Sequence, residues 1–430
     1  MQFSKWVTLG FGALCLMAVA GVLNAQHLYY MSAILLTLPG VSYLLGWFGL
    51  RGVTFTRELP STAWEGEEGA LIYAAENHTR LPRYFLQVRE ALPLWIVPME
   101  AEPPLFNVAA GDTARVVHRI RYMKRGVYRV QSFEVTALDP LGVFAFTSHV
   151  ACDAELVVYP MPQTLESLAL TGTDRYGWQE FTVIALRGSS VDPSGVREYA
   201  PGDPLRRIHW RQTARTGKLS VIEFEEPQSV NLVIALDLMR GTEVGEGLAT
   251  TLEYGVRLAA SMAQEATQQG ASVQLLTAAE PDREEETALS LMMAAVPGRG
   301  VQQFYTILDA LARVEANATR PISALIGGEE GSRLLPGTSL LVLTSQLDPQ
   351  LPAVLSRYAA TGANVSVVYI APETFPGGKQ RIPADERQRF LTELSLAQVH
   401  PFILRYDPLN ALLPEAVTDA ELRTAEPVRS

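Results

Sequence analysis

Val230-Asn231-Leu232-Val233-Ile234-Ala235-Leu236 is an almost unbroken apolar run, closed by Asp237. A run this short, with no polar alternation, reads as a strand covered on both faces. The texture recurs down the chain, at 272–277, 339–344 and 364–370. Helical periods separate these runs: from about 246 to 268, near 284–295 and 301–316, near 349–360 and near 384–396. Strands alternating with helices predict a mostly parallel sheet wrapped on both faces, a doubly wound α/β domain over 229–410. Residues 411–430 are acidic and weakly periodic and read as a loose tail.

Upstream the texture differs. Residues 70–75, 84–88 and 113–120 mix β-branched, aromatic and alternating residues, punctuated by Gly and Pro. No long 3.6-residue period interrupts them, so 51–160 predicts a β-sandwich domain.

The chain begins with two charge-free stretches, 6–23 and 28–50, separated by Asn24-Ala25-Gln26-His27. Each has about the 20 residues needed to cross a ~30 Å hydrocarbon core. Residues 1–50 therefore predict a transmembrane helical hairpin. Trp6, Tyr29, Tyr30 and Trp47 stand near the segment ends, where aromatic belts form. Lys5 precedes the first segment, Arg51 and Arg57 follow the second, and the turn carries no Lys or Arg. By the positive-inside rule both ends and everything beyond are cytoplasmic. Residues 1–25 also have the basic start and apolar centre of a cleavable signal, although Leu23 is too large for a good cleavage site. The second segment would still span and give the same topology.

Composition bounds the rest. At 430 residues the chain has room for two or three domains. Apolar residues make up 48% and charged residues 19%, which excludes a disordered or fibrous protein. The 35 basic and 46 acidic residues give a net charge of −11, against the basic balance expected of a nucleic-acid binder. The two cysteines, Cys15 and Cys152, make neither a disulfide scaffold nor a multi-cysteine metal site.

Within 161–228 lies a basic island in this acidic chain. Arg187, Arg197, Arg206, Arg207, Arg211, Arg215 and Lys218 stand against Asp192, Glu198 and Asp203. Pro201-Gly202-Asp203-Pro204 has turn chemistry, and Asp203 is placed to cap a short helix over 206–214. The series Arg197, Tyr199, Gly202, Asp203, Arg206, Arg207, His209, Trp210, Arg211 and Arg215 resembles the signature of the bacterial family known as domain of unknown function 58. Lys124-Arg125-Gly126-Val127-Tyr128-Arg129-Val130 and Asp139-Pro140-Leu141-Gly142-Val143-Phe144 resemble its amino-terminal portion. The resemblance implies a membrane-anchored protein whose C-terminal part is a von Willebrand factor A-like domain. It further implies, as partners, a MoxR-type AAA ATPase and a transglutaminase-like membrane protein, with no established enzymatic activity.

A domain of that type commonly holds a metal in a D-x-S-x-S loop. The corresponding residues here are Asp237-Leu238-Met239-Arg240-Gly241, in which only the carboxylate matches. Thr344, Ser345 and Asp348 follow a later strand and add oxygens, the ligand type a hard cation needs. The degenerate loop argues against a metal, and Asp237 reads as a local cap or the partner of an arginine. No cofactor is called for.

The arginine island has three readings: an ion-pair lock between the two domains with Trp210 in the seam, a docking surface for an acidic protein, or a phosphate grip. No P-loop, H-E-x-x-H or G-x-S-x-G motif occurs. Ser189, His209 and Asp203 can be written as a triad, but nearness in sequence does not supply its geometry. The sequence thus predicts a non-catalytic, membrane-anchored interaction module in the bacterial inner membrane. By the family resemblance it would partner a MoxR-type ATPase in assembling or maturing an envelope complex. The alternative is a hydrolase of a phosphorylated or envelope-derived substrate, with the arginines as its anion grip.

Overall fold

The structure, a computed structural model, describes residues 2–140, 142, 144–163, 175–186, 193–198, 213–215, 217–224, 231–278, 285–328, 338–378, 383–407, 412 and 414–417. It forms two compact units, Met1–Tyr159 and Pro160–Ser430, which are treated separately.

The first unit opens with α1 (Gln2–Leu23) and α2 (Gln26–Gly49). Asn24 takes a left-handed φ of 48° in the turn between them, a conformation its short polar side chain tolerates. The helices pack at ordinary contact distance: a Cβ on Gly12 would sit 3.8 Å from Leu35, and one on Gly21 would sit 3.7 Å from the Tyr29 hydroxyl. The apolar helix pair expected from the sequence is present.

Nine strands follow: β1 (Val53–Glu58), β2 (Thr62–Trp64), β3 (Glu68–Asn77), β4 (Arg83–Arg89), β5 (Ile96–Pro98), β6 (Leu105–Val108), β7 (Thr113–Tyr122), β8 (Gly126–Leu138) and β9 (Ala145–Tyr159). They make a four-stranded sheet, β1-β3-β7-β5, and a five-stranded one, β2-β9-β8-β4-β6. All pairings are antiparallel except β2 with β9. Leu71, Tyr73, Ile120 and Tyr122 from the first sheet share one core with Val88, Phe133, Val135, Leu156 and Val158 from the second. Each side chain in this core removes roughly 1.5–3 kcal/mol of apolar surface from water.

One ionic pair lies inside this core. Arg57 on β1 bonds Glu90, and both side chains are essentially inaccessible. Arg57 also donates to the carbonyls of Val130, at 3.0 Å, and Cys152, so a guanidinium from one sheet is held by backbone of the other. Tyr73 donates its hydroxyl to the second Glu90 oxygen at 2.5 Å. Burial first, then the Glu90 bond and charge, push the Tyr73 phenol far above its usual range. Arg57 is therefore committed to the core, which leaves Arg51 as the cation that follows α2.

The C-terminal half of α2 is seated on the β8–β9 hairpin. Ser42 donates its hydroxyl to Asp139, which also accepts the Phe144 N–H at 2.6 Å. Tyr43 meets Phe144 and Phe146 edge-on, each at 5.3 Å between ring centroids. Gly46 and Gly49 permit the approach: a Cβ would lie 2.8 Å from the Phe146 ring at the first and 2.6 Å from the Ala137 methyl at the second.

In the second unit, α3 (Arg175–Leu186) precedes a two-stranded antiparallel pair, β10 (Pro193–Glu198) and β11 (Ser220–Phe224). Then come β12 (Asn231–Leu236), a small hairpin of β13 (Gly245–Glu246) and β14 (Ala249–Thr250), α4 (Thr251–Gln268), β15 (Ser272–Thr277), α5 (Glu285–Ala294), β16 (Gly298–Arg299), α6 (Gly300–Arg313) and α7 (Ile322–Gly327). The unit continues with β17 (Thr338–Thr344), α8 (Leu351–Ala360), β18 (Asn364–Ile370), α9 (Ala384–Leu396), β19 (His400–Leu404) and β20 (Glu415–Ala416).

These strands build one sheet, β16-β15-β12-β17-β18-β19-β20, parallel from β15 to β19 with an antiparallel strand at each edge. From β12 the chain steps one way to β15, then returns to β17 and proceeds the other way. Right-handed crossovers put the helices of the two directions on opposite faces. Accordingly α4 packs with α6, while α8 packs with α7 and α9.

Two expectations need correction. The helix expected from about 246 starts at Thr251, because the β13–β14 hairpin intervenes. Gly247 at φ 63° lies in that hairpin's turn, and Thr250 caps the helix by accepting the Glu253 N–H at 3.2 Å. The tail is not wholly loose either: Leu412 is buried and β20 joins the sheet edge. Residues 418–430 lie outside the described residues.

Candidate functional site

The reversal of strand order falls between β12 and β17, and an open crevice forms there beyond the strand ends. Asp237 leaves β12 and Thr344 closes β17. The Asp237 N–H donates to the Leu343 carbonyl at 2.9 Å, and Thr344 donates its hydroxyl to the Asp237 carboxylate at 2.7 Å. The other carboxylate oxygen accepts the Met239 N–H at 3.1 Å. Around them is a small open cleft, whose polar lining is Asp237, Thr242, Glu243, Thr251, Thr344 and Ser345.

Burial raises the Asp237 carboxyl above its ordinary pKa, opposed by its two hydrogen bonds and assisted by the nearby Asp348 charge. The folded state then binds this proton more tightly than the unfolded chain, so stability falls as pH rises above the ordinary value of 3.8. Asp237→Asn keeps the shape and removes the charge. Thermal unfolding across pH is expected to show a shallower fall above that value, with a neutral-pH midpoint no lower than wild type. A lower midpoint with an unchanged slope would contradict the assignment.

Sequence reasoning named four residues for this region, and the structure divides them. Asp237 and Thr344 touch, and Ser345 lines the same cleft. Asp348 does structural work: its carboxylate accepts Gln350 N–H at 2.9 Å and Ser323 N–H at 3.3 Å, at the starts of α8 and α7. Of the two roles expected for Asp237, the local cap is the one seen: it accepts the Met239 amide two residues on, and the Thr344 hydroxyl besides. The oxygens of Asp237, Thr344 and Ser345 are those that would face a hard cation. Among the described residues no three His, Cys, Asp or Glu side chains converge on one point. The described lining also includes no His, Cys, Lys or Arg to serve a nucleophile, and it offers hydroxyls, which donate and accept, beside two carboxylates.

The arginine signature is mostly out of view. Arg197 lies on β10, paired in register with Val221 of β11, and Arg215 is exposed in a short helical turn. Tyr199, Gly202, Asp203, Arg206, Arg207, His209, Trp210 and Arg211 lie outside the described residues, as does Ser189.

Sequence reasoning passed over Asp139 as a contact residue and over the buried charges of α4, Glu253 and Arg257. Arg257 donates to the Leu248 carbonyl at 2.7 Å. The signal for the α4 pair was a charge at each end of the apolar run Tyr254-Gly255-Val256.

The matched region of the chain overlaps this site. Residues 195–321 match the family described as "Protein of unknown function DUF58". That span includes Asp237 and ends before Thr344. The chain is also 24% identical over 321 residues to "Uncharacterized protein YeaD" of Bacillus subtilis (strain 168), covering 72% of this chain and 75% of that one. Among solved structures, the ASH/PapD-like domain of human CEP192 aligns with 26% of this chain and 87% of its own, at 12% identity and a TM-score of 0.19. A protein of unknown function from Porphyromonas gingivalis W83 aligns with 25% of this chain and 48% of its own, at 13% identity and the same TM-score of 0.19. Likeness at that level carries no argument about fold or function.

Proposed function

We propose that this chain is a membrane-anchored interaction protein without chemistry of its own. In this reading α1 and α2 form a hairpin in the bacterial inner membrane, with both soluble units on the cytoplasmic side. The β unit is a sandwich and the α/β unit a von Willebrand factor A-like domain. The observation that carries the reading is the surface of α2. The helix is 24 residues long, its most apolar 18-residue window has a mean hydropathy of 1.5, enough to cross a membrane, and only 17% of that window is buried by the rest of the protein. Tyr30, Ile34, Leu36 and Val41 stand exposed along it, a stripe that water does not tolerate and lipid does. Arg51 is stacked on Trp47 with its guanidinium carbon 3.5 Å from the ring centre, the aromatic–cation pairing expected at a cytoplasmic interface.

The partner, by the resemblance of the arginine signature, is a MoxR-type AAA ATPase. The work served would be assembly or maturation of an envelope complex that includes a transglutaminase-like membrane protein. The polar crevice at Asp237, lined by hydroxyls and carboxylates, supports docking of a polar partner surface. Two experiments test this reading. Alkaline carbonate washing of membranes is expected to leave the chain in the pellet, and release into the wash would remove the anchor. Affinity purification from native membranes is expected to recover an AAA ATPase with wild type and to lose it with Arg211→Ala or Asp237→Ala while the protein stays folded. Recovery of no such ATPase, even with ATP held unhydrolysed, would sink the partner assignment.

A further inference from the structure

We propose that the turn joining β8 to β9 dips into the lipid headgroup layer beside α2, so that the β unit rests on the bilayer as well as being tethered to it. The inference builds on the reading of α2 as a membrane span and adds a second lipid-contacting element.

The direction of the hairpin carries the argument. From Gly49 back to Ser42 is about 10 Å along a helix. Over that distance the hairpin runs beside α2 toward the helix N-terminus: Gly49 abuts Ala137, Gly46 abuts Phe146 and Asp139, and Ser42 bonds Asp139. Past the turn, Phe144 still faces α2 at this level, meeting Tyr43 edge-on at 5.3 Å.

Depth follows from the boundary markers. Arg51 and Trp47 mark the cytoplasmic interface. Ser42 and Tyr43 lie one turn or more deeper, about 6–8 Å at 1.5 Å per residue. The headgroup layer is itself about 5–8 Å thick on each side, so the residues that meet Ser42 and Tyr43 stand at its inner boundary.

Composition suits that place. No charged residue occurs from Pro140 to Ser148, a stretch that includes Leu141, Val143, Phe144 and Phe146. Leu141 and Val143 lie outside the described residues, and the argument rests on the others. The single acid, Asp139, is buried, and its two carboxylate oxygens are taken by the Ser42 hydroxyl and the Phe144 N–H. The turn therefore carries no bare charge into a medium that would penalise one.

The test is depth-dependent quenching of the full chain in phosphatidylcholine–phosphatidylglycerol vesicles containing brominated acyl chains. In a Cys15→Ala, Cys152→Ala background, single labels go on Ala145→Cys, Leu36→Cys and Arg129→Cys. Ala145 and Leu36 are exposed, and Arg129 is an exposed position on β8, about 30 Å from the hairpin turn at ~3.3 Å per residue. Circular dichroism and gel filtration check each labelled protein against wild type.

The Leu36 label is expected to lose most of its emission, the Ala145 label a smaller but clear share, and the Arg129 label none. If Leu36 is quenched while Ala145 behaves like Arg129, the dipping turn is refuted and the anchor stands. If neither Leu36 nor Ala145 is quenched, the membrane reading falls and this inference falls with it.

Discussion

Glu90→Leu is expected to cost the first unit about 3–5 kcal/mol, because it leaves the Arg57 guanidinium buried without its counter-charge. The side chains of both residues are sealed between the two sheets, so water cannot replace the lost carboxylate. Arg57 retains its bonds to the Val130 and Cys152 carbonyls, which hold the cation where it cannot be solvated. The triple variant Arg57→Met, Tyr73→Phe, Glu90→Leu removes every member of the cluster at once and is expected to recover more than half of the loss. Amide hydrogen exchange of β3 and β8 reads the effect, with β17 in the other unit as internal reference. A triple variant no more stable than Glu90→Leu would show that the three residues do not act as one network.

The second large effect concerns the seat of α2. Asp139→Ala orphans the Ser42 hydroxyl and the Phe144 N–H together. Each unsatisfied buried group costs about 1–3 kcal/mol, so about 2–6 kcal/mol of local stability is expected to go. Asp139→Asn can still accept one bond and make the other, and is expected to lose less than half as much. Exchange at the Phe144 amide, compared with amides near Val130 on the same hairpin, is the readout. Equal protection in wild type and Asp139→Ala would mean that the hairpin holds the helix by apolar contact alone.

The sheet of the second unit was legible because of how it is covered. A strand buried on both faces must be apolar throughout, so β12, β15, β17 and β18 announce themselves as short runs. The expected ranges for β15 and β18 agree with the structure residue for residue. The helix pair was legible for the same reason, since apolar length is its whole requirement. The long hairpin was harder. β8 and β9 alternate core and solvent residues and are interrupted by charges such as Arg129, Glu134 and Glu155. The start of α4 was misplaced because the turn at Gly247 is a backbone property that periodicity does not report.

The crevice was half legible. Asp237 stood out at the end of an apolar run, but its bond to Thr344 joins residues 107 positions apart. The same distance problem hid Asp139. Its motif could be seen in the sequence, whereas its purpose depends on Ser42, 97 residues earlier.

That separation also fixes an order of events during synthesis. At about 5–20 residues per second, roughly 5–20 s pass between the ribosome's completion of Ser42 and its completion of Asp139. Through that interval the glycine face of α2 has no hairpin to sit on, and the contact closes only after most of the β unit has been made. Joining two such distant points carries a chain-entropy cost that grows with the logarithm of the loop. Seating the helix is therefore a late step in the biogenesis of the first unit, and it ties completion of the β unit to a helix already in place.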